Sequence, residues 1–286
     1  MLERYFDHNA TTPLSAAARQ AWLGAAERHW QNPSSLYRDA GLASQALEAA
    51  RERLADLLGG EPERVVFTAG ASEGNNMIFA SLARQLQPGQ RAAISAVEHP
   101  SVREAARHWL GAENVDELPV SAEGVVEPEA VRQWLTDKKG RARLVSVMAA
   151  NNESGTLQPW PQIAALCREH GVLFHCDAAQ WAGKLDAQGL GACDLVTGSA
   201  HKFGGPKGAG FVLLPEGGAG SWRLLFGGPQ EDGRRAGTEN YPAIESMVRA
   251  LEESAASERG SAAGRDAFEA RMAELFPGLR VIGAGA

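Results

Sequence analysis

The chain has 286 residues, of which 44% are hydrophobic and 22% charged, and this composition is typical of a globular protein with a large buried core. The net charge of −7, the lack of a long apolar run and the lack of a signal-peptide pattern predict no nucleic-acid partner, no membrane span and no export. The three cysteines, Cys167, Cys176 and Cys193, show no CxxC spacing, which predicts no disulfide, no metal site and a cytoplasmic location.

Short β-rich segments alternate with amphipathic segments between about residue 44 and residue 214. The predicted strands are Val65–Thr68, Ala92–Ser95, Leu144–Met148, Leu173–Asp177, Leu195–Gly198 and Phe211–Leu214. The predicted helices include Ser44–Leu58, Ser72–Gln87, Ser101–Leu110 and Pro161–His170. This alternation predicts an α/β fold in three layers, a mostly parallel sheet with helices on both faces.

Beyond Glu239 the pattern changes. It predicts one long helical stretch that is interrupted near Gly260 to Gly264, followed by a strand at Pro277–Ile282. A terminal strand without neighbours would expose unpaired backbone groups. We therefore expect an amino-terminal segment at 1–15 that belongs to a small domain or a dimer contact, a large site-bearing domain at 16–250, and the start of an incomplete small domain at 251–286.

Lys202 is the best candidate for a lysine that forms a Schiff base. It lies between a predicted buried strand and a glycine-rich turn, whereas Lys138 and Lys139 lie in a polar loop. Burial beside a ligand would lower the pKa of its amine and free the amine for imine exchange. The alternative is an ordinary surface lysine. A nucleotide-binding P-loop does not fit, because the GxxxxGK[ST] spacing is missing.

Asp177 lies at the end of a predicted strand, where ligands collect in open α/β sheets. Its carboxylate suits the protonated pyridine nitrogen of pyridoxal 5′-phosphate (PLP), a cofactor that acts as an electron sink while that nitrogen is protonated. Gln180 could donate a hydrogen bond to the phenolic oxygen of the same ring. Alternatively, Asp177 caps the next helix. A metal site at His175 and Cys176 is not favoured, because neighbouring strand residues face opposite sides.

Three more polar residues follow predicted strands. The Ser72 hydroxyl and the helix N-terminus beside it suit a phosphate, although Ser72 would also serve as a plain N-cap. His99 could stack on the pyridine ring, although an isolated histidine is more often structural. Asn152 could contact both cofactor and substrate, or belong to an ordinary Asn-rich turn.

Taken together, these segments resemble the cysteine desulfurase family within the class V aminotransferase group of fold-type I PLP enzymes. The segments that carry the resemblance are Tyr5–Thr12, Asn32–Ser35, Gly70–Asn76, Glu98–His99, Asn151–Glu153, Asp177–Gln180, Ser199–Lys202 and Gly233–Asn240. They occur in the family's order along most of the chain.

The resemblance implies a role for each site residue. Lys202 would hold PLP as an aldimine, and His99 would stack on the ring and move protons. Asp177 and Gln180 would contact the ring nitrogen and oxygen, and Asn152 would contact cofactor and substrate. The residues implied at the phosphate are Ser72, Ser199 and His201, with Thr238 reaching the phosphate of a neighbouring subunit in a homodimer.

The implied activity is the conversion of L-cysteine to L-alanine, with the sulfur passed to a partner protein for iron–sulfur cluster or thio-cofactor synthesis. The family places its nucleophilic cysteine on a loop in a carboxy-terminal segment that lies beyond this sequence, and none of the three cysteines matches that position. We therefore expect little or no turnover by this chain alone. Two alternatives are a PLP-dependent β-lyase or transaminase-like enzyme, and a non-catalytic dimer that binds a sulfur-transfer partner.

Overall fold

The computed structural model describes residues 5–217, 221–256 and 262–283. Its strands are β1 (Val65–Thr68), β2 (Arg91–Ser95), β3 (Val115–Leu118), β4 (Ala142–Ser146), β5 (Leu173–Asp177), β6 (Leu195–Ser199) and β7 (Gly210–Leu213). Its α-helices are α1 (Ala16–Arg28), α2 (Arg38–Leu58), α3 (Ala71–Ala83), α4 (Pro100–Leu110), α5 (Pro128–Asp137), α6 (Trp160–Glu169), α7 (Tyr241–Ala256) and α8 (Ala262–Leu275). None of these described helices is long and apolar enough to cross a bilayer.

The strands form one sheet in the order β1-β7-β6-β5-β4-β2-β3. Strand β7 runs antiparallel to both of its neighbours, while the other pairs are parallel. The carboxyl ends of β2, β4, β5 and β6 therefore lie along the same edge, and the loops that leave this edge carry most of the predicted site residues. The prediction of a mostly parallel α/β sheet is confirmed.

Alternating strand residues build two separate cores. In β1, Val65 and Phe67 belong to one core and Val66 belongs to the other, because successive side chains point to opposite faces of a strand. The larger core is covered by α1, α2, α5, α6 and α7, and the smaller one by α3 and α4. The result is the three-layer arrangement that the sequence predicts.

The structure differs from the sequence-based elements at several points. Strand β4 begins and ends two residues earlier than predicted, and the predictions did not include β3, α1 or α5. The strand predicted at Pro277–Ile282 is wrong, because these residues have no strand beside them and Ile282 is 75% exposed. Part of the predicted helix interruption lies at 257–261, outside the described residues, but Gly264 itself lies within α8.

Gly74 allows α3 to approach the sheet closely. A Cβ atom at this position would lie 2.6 Å from Cγ2 of Val212 and 2.9 Å from Cγ2 of Thr197, so any side chain would push the helix away. The next residue, Asn75, is consequently pressed against β5 and β6 and is fully buried. This close approach places the polar side chain of Asn75 behind the ends of β5 and β6.

A buried ion pair holds the 230–233 turn against β1. Nη1 of Arg51 lies 2.7 Å from Oε2 of Glu231, and the same oxygen accepts a hydrogen bond from the Phe67 N–H at 2.9 Å. Glu231 has a φ of 51°, in the left-handed region that costs a side-chain-bearing residue free energy. The carboxylate contacts therefore hold the turn in a conformation that it would not adopt unaided.

Replacing Arg51 with Met should lower the free energy of unfolding by about 3 to 5 kcal/mol, because the Glu231 carboxylate would stay buried without its partner. Urea unfolding followed by circular dichroism measures this. Arg265→Met is the control, since Arg265 pairs with Asp266 on the surface and its loss should cause no measurable change. Equal stability of the Arg51 variant and the parent would contradict the assigned role of the pair.

Candidate active site

A cavity of about 630 Å³ opens at the carboxyl edge of the sheet. Eight of the nine predicted site residues line this cavity: Ser72, His99, Asn152, Asp177, Gln180, Ser199, His201 and Lys202. The ninth, Thr238, lies exposed in the loop before α7 and is not among the lining residues. The structure thus brings together residues from five separate segments, at or just after the ends of β1, β2, β4, β5 and β6.

Lys202 lies in a short 3-10 turn that directly follows β6. Its Nζ donates hydrogen bonds to the backbone oxygens of Asn9 at 2.6 Å and Ala10 at 3.1 Å. Burial lowers the pKa of the amine, against the opposing charges of Asp177 and Asp7. The amino-terminal segment therefore holds this amine beside the cavity, in an environment that favours its neutral, nucleophilic form.

Asp177 is 4% exposed and ends β5. One oxygen, Oδ1, accepts the N–H of Ala179 at 3.0 Å, which resembles the capping role considered above, and Oδ2 accepts Nδ2 of Asn75 at 3.1 Å. Burial raises the pKa of this carboxyl, although both hydrogen bonds and the nearby His99 and Lys202 oppose the shift. Among the described residues, none forms an ion pair with this carboxylate.

The part of the cavity beside the start of α3 suits an anion. The N-terminus of α3 opens onto it beside Ser72, and its first N–H groups have no acceptor within the helix. Gly70, which precedes α3, has a φ of 152°, and a Cβ there would lie 3.3 Å from Oγ of Ser199. Glycine at this position therefore keeps open a space between the helix start and the Ser199 hydroxyl.

His201 and Lys207 add to this anion-binding end. Burial, together with the positive charges of Lys202 and Lys207, lowers the pKa of His201, so that its ring is neutral at neutral pH. Nδ1 of His201 lies 3.1 Å from Oγ1 of Thr11. Lys207 lines the cavity and was not predicted, although its place five residues after Lys202 in the same glycine-rich segment could have suggested it.

Lys184 and Asn9 are two further residues that sequence reasoning missed. Nζ of Lys184 contacts Oε1 of Gln180 and lies 2.7 Å from Oδ1 of Asn9. Burial and the nearby Lys202 lower the pKa of Lys184 to about 8. Asn9 also accepts Nε2 of Gln180 on its backbone oxygen at 2.8 Å and donates to the backbone oxygen of Asn152 at 3.2 Å. The sequence signal that could have indicated Lys184 is its position four residues after Gln180.

Glu98 is a buried carboxyl group behind the cavity. Its Oε1 accepts hydrogen bonds from Oγ of Ser95 at 2.9 Å and from the N–H of Met148 at 2.7 Å, whereas Oε2 has no hydrogen-bond partner among the described residues. Burial and the nearby Asp177 raise the pKa of Glu98 to about 8. Glu98 is therefore mostly protonated at neutral pH, which leaves Asp177 as the acidic group that carries the charge.

Comparisons with known proteins agree with this arrangement. A family profile described as aminotransferase class-V matches residues 4–275. The cysteine desulfurase IscS of Dictyoglomus turgidum is 37% identical over 255 residues, which cover 87% of this chain and 63% of that relative. A cysteine desulfurase of Cereibacter sphaeroides is 38% identical over 285 residues, covering 98% of this chain and 72% of the relative.

A solved structure described as SspA in complex with cysteine superimposes with a TM-score of 0.83 at 30% identity, covering 99% of this chain and 80% of that one. The chain belongs to the aminotransferase class-V family and, within it, to the cysteine desulfurases. The family is PLP-dependent. The chain spans less than two thirds of the length of the Dictyoglomus relative, so the activity of a whole family member is a separate question.

Replacing Glu98 with Gln should flatten the dependence of stability on pH. The pKa of this carboxyl is 4.5 in the unfolded chain and about 8 in the folded protein. The stability that the protonated carboxyl contributes is therefore complete below pH 4.5 and is lost as the pH rises towards 8. Over this window the parent should lose up to about 1.4 kcal/mol per pH unit relative to the variant. Urea unfolding at several pH values measures this.

Glu104→Gln provides the matched control, because Glu104 is an exposed glutamate on α4. Its stability should vary with pH as that of the parent does. Parallel curves for the parent and the Glu98 variant would mean that Glu98 is ionised in the folded protein.

Proposed function

We propose that this protein is a PLP-dependent enzyme that acts on L-cysteine and holds its cofactor through Lys202. The observation that carries the proposal is that one cavity is lined by a lysine amine of lowered pKa, by a buried carboxylate with no ion-pair partner among the described residues, and by a helix N-terminus. When bound, PLP supplies an aldehyde that amines can attack and a ring that accepts electrons from a neighbouring carbanion.

The donor set of the cavity fits the ring of PLP. Asp177 is buried with two hydrogen-bond donors but no ion-pair partner among the described residues, and a protonated pyridine nitrogen would supply the missing positive charge. Gln180 is oriented by Lys184, which contacts its Oε1 and so directs the amide nitrogen away from that side. His99 lines the same cavity and offers an imidazole face.

The anion-binding end fits the phosphate of PLP. Ser72 and Ser199 offer hydroxyl donors, the first turn of α3 offers N–H groups, and the imidazole of His201 lines the same cavity. Lys207 adds a positive charge. Glu73 brings a negative charge to the same end, but Arg235 neutralises it through a contact of 2.9 Å.

Two groups of the chain can hold or move a proton at the substrate. Nζ of Lys202 can act as a base because burial lowers the pKa of the amine. The imidazole of His99 lies on the wall of the same cavity. The substrate class is supported by the cysteine desulfurase relatives and by the relative whose structure holds cysteine.

None of the three cysteines of this chain is suited to receive sulfur from L-cysteine. Cys167, Cys176 and Cys193 are at most 2% exposed, and none lines the cavity. Burial, with contributions from Asp194 and Cys193, raises the pKa of Cys167 to about 12, and burial also raises that of Cys176. The acceptor thiol therefore comes from elsewhere, either from a further segment of the protein or from a partner protein.

A homodimer is part of the proposal, with Thr238 directed towards the phosphate of the neighbouring subunit. Thr238 is exposed and lies outside the cavity of its own chain. Large apolar side chains are exposed on the same molecule, among them Trp30, Leu36 and Phe226. Such exposed apolar surface is typical of a protein–protein contact.

Lys202→Ala should abolish covalent attachment of PLP. After incubation with PLP and reduction with borohydride, the parent should carry the added mass on the peptide containing residue 202, and the variant should carry none. Lys139→Ala, at an exposed loop lysine, should behave as the parent. Attachment that persists at another lysine in the Lys202 variant would refute the assignment of the Schiff-base lysine.

With L-cysteine and PLP, the protein alone should form little or no alanine and no persulfide on its own cysteines, because an attacking thiolate must be accessible. Mass spectrometry of the three cysteine peptides and an alanine assay measure this. A variant with all three cysteines replaced by Ala should give the same result. A persulfide on any of the three would contradict the prediction, and turnover of a different amino acid would favour a β-lyase or transaminase instead.

A further inference from the structure

A chain of buried polar side chains runs behind the cavity wall. Oγ of Ser146 lies 2.8 Å from Nδ1 of His175, whose Nε2 lies 3.3 Å from Oγ1 of Thr197. Oγ1 of Thr197 donates in turn to Oδ1 of Asn75 at 2.8 Å. All four residues are fully buried, and none of them lines the cavity. The chain of hydrogen bonds ends at the side-chain amide of Asn75.

Asn75 connects this chain to two residues of the cavity wall. Its Nδ2 donates to Oδ2 of Asp177 at 3.1 Å and to Oγ of Ser101 at 2.9 Å. Oγ of Ser101 lies 2.8 Å from Nδ1 of His99. One amide group thus reaches the carboxylate proposed for the ring nitrogen and, through one hydroxyl, the imidazole proposed for the ring face.

The direction of each hydrogen bond follows from the donors available. Thr197 donates its hydrogen to Oδ1 of Asn75, so the two amide hydrogens of Asn75 point towards Asp177 and Ser101. The Ser101 hydroxyl accepts one of them and has its own hydrogen free for Nδ1 of His99. The backbone N–H of Ser101, which can only donate, also points at this Nδ1 from 3.1 Å. Nδ1 of neutral His99 therefore carries no proton, and Nε2 carries it.

We propose that Asn75 is a positioning residue that fixes the orientation of the Asp177 carboxylate and keeps the Ser101 hydroxyl as a hydrogen-bond donor to Nδ1 of His99. It does not touch the cavity and acts only through Asp177 and Ser101. Its relevance to PLP rests on the function proposed above, whereas the orientation and the hydrogen bond are properties of the protein itself.

An aspartate could not replace Asn75 in this role. A carboxylate there has no hydrogens to give, so it would repel Asp177 and accept the Ser101 hydrogen that His99 now receives. A longer side chain would not fit either, because Gly74 holds the helix backbone tightly against the sheet. The site requires a short side chain with one acceptor and two hydrogens.

Nitrogen-15 NMR of histidine-labelled protein without cofactor tests the tautomer, with the His99 signals assigned from a His99→Gln sample. The parent should show a protonated Nε2 and an unprotonated Nδ1. Asn75→Asp should move the Nδ1 signal of His99, because the Ser101 hydroxyl would turn to the new carboxylate and leave only the Ser101 N–H at Nδ1, and it should weaken PLP affinity by about tenfold or more. Ser101→Ala should move the Nδ1 signal in the same direction but lose less affinity than Asn75→Asp, because the contact between Asn75 and Asp177 remains.

The matched control is Asn76→Asp, the same substitution at the next residue. The Asn76 side chain contacts Ser72 O and Nε1 of Trp109 instead of Asp177 or Ser101, and its substitution should leave the His99 signals unchanged. If Asn75→Asp does not fold, Thr197→Val tests the same point, since it removes the hydroxyl that orients the amide and should move the Nδ1 signal of His99.

Two results would overturn the inference: a proton on Nδ1 of His99 in the parent, or a His99 spectrum and PLP affinity in Asn75→Asp that equal those of the parent. Failure of the parent to bind PLP would instead refute the proposed function. In that case the NMR result would still decide whether Asn75 controls the hydrogen bond from Ser101 to Nδ1 of His99.

Discussion

The site depends on one buried carboxylate, that of Asp177 at the end of β5. Burying an anion is costly unless other groups compensate it, and here the described residues supply two hydrogen-bond donors and no ion pair. The carboxylate is accordingly held in place by the loop that follows it and by the helix behind it. The remaining unmet charge is the feature that makes this cavity suited to a cationic ring.

The groups around Asp177 adjust the charge of the site rather than merely filling space. Glu98 lies close enough to be affected by Asp177, and its own burial favours the protonated form, so two negative charges are not forced together. On the other side, burial lowers the pKa of both Lys184 and Lys202, and the charge of Lys202 lowers that of Lys184 further. A site with one buried carboxylate and two amines of lowered pKa, that of Lys184 being about 8, is suited to proton exchange close to neutral pH.

The sequence predicted the cavity because parallel strands end at a common edge, so polar residues just after β2, β4, β5 and β6 had to converge. It did not predict Asn75, Lys184 or Asn9, whose contacts join residues far apart in the chain: 102 residues separate Asn75 from Asp177, and 175 separate Asn9 from Lys184. The sequence analysis missed β3 because two of its four residues, Val-Asp-Glu-Leu, are charged. Charged residues are typical of a strand at the edge of a sheet, which is where β3 lies. The strand predicted at Pro277–Ile282 failed for the opposite reason, because residues with β propensity do not form a strand where no neighbouring strand pairs with them.

The amino-terminal segment contacts Lys202 directly through two backbone oxygens. The backbone oxygen of Asn9 accepts hydrogen bonds from both Lys202 and Gln180, while that of Ala10 accepts from Lys202 alone. In the function proposed above, Nζ bonds to carbon and gives up hydrogens. Asn9 then keeps Gln180 as a donor, and the exposed Ala10 can turn to water. Neither oxygen is then left buried and unpaired, so the segment can release the amine at little cost in free energy.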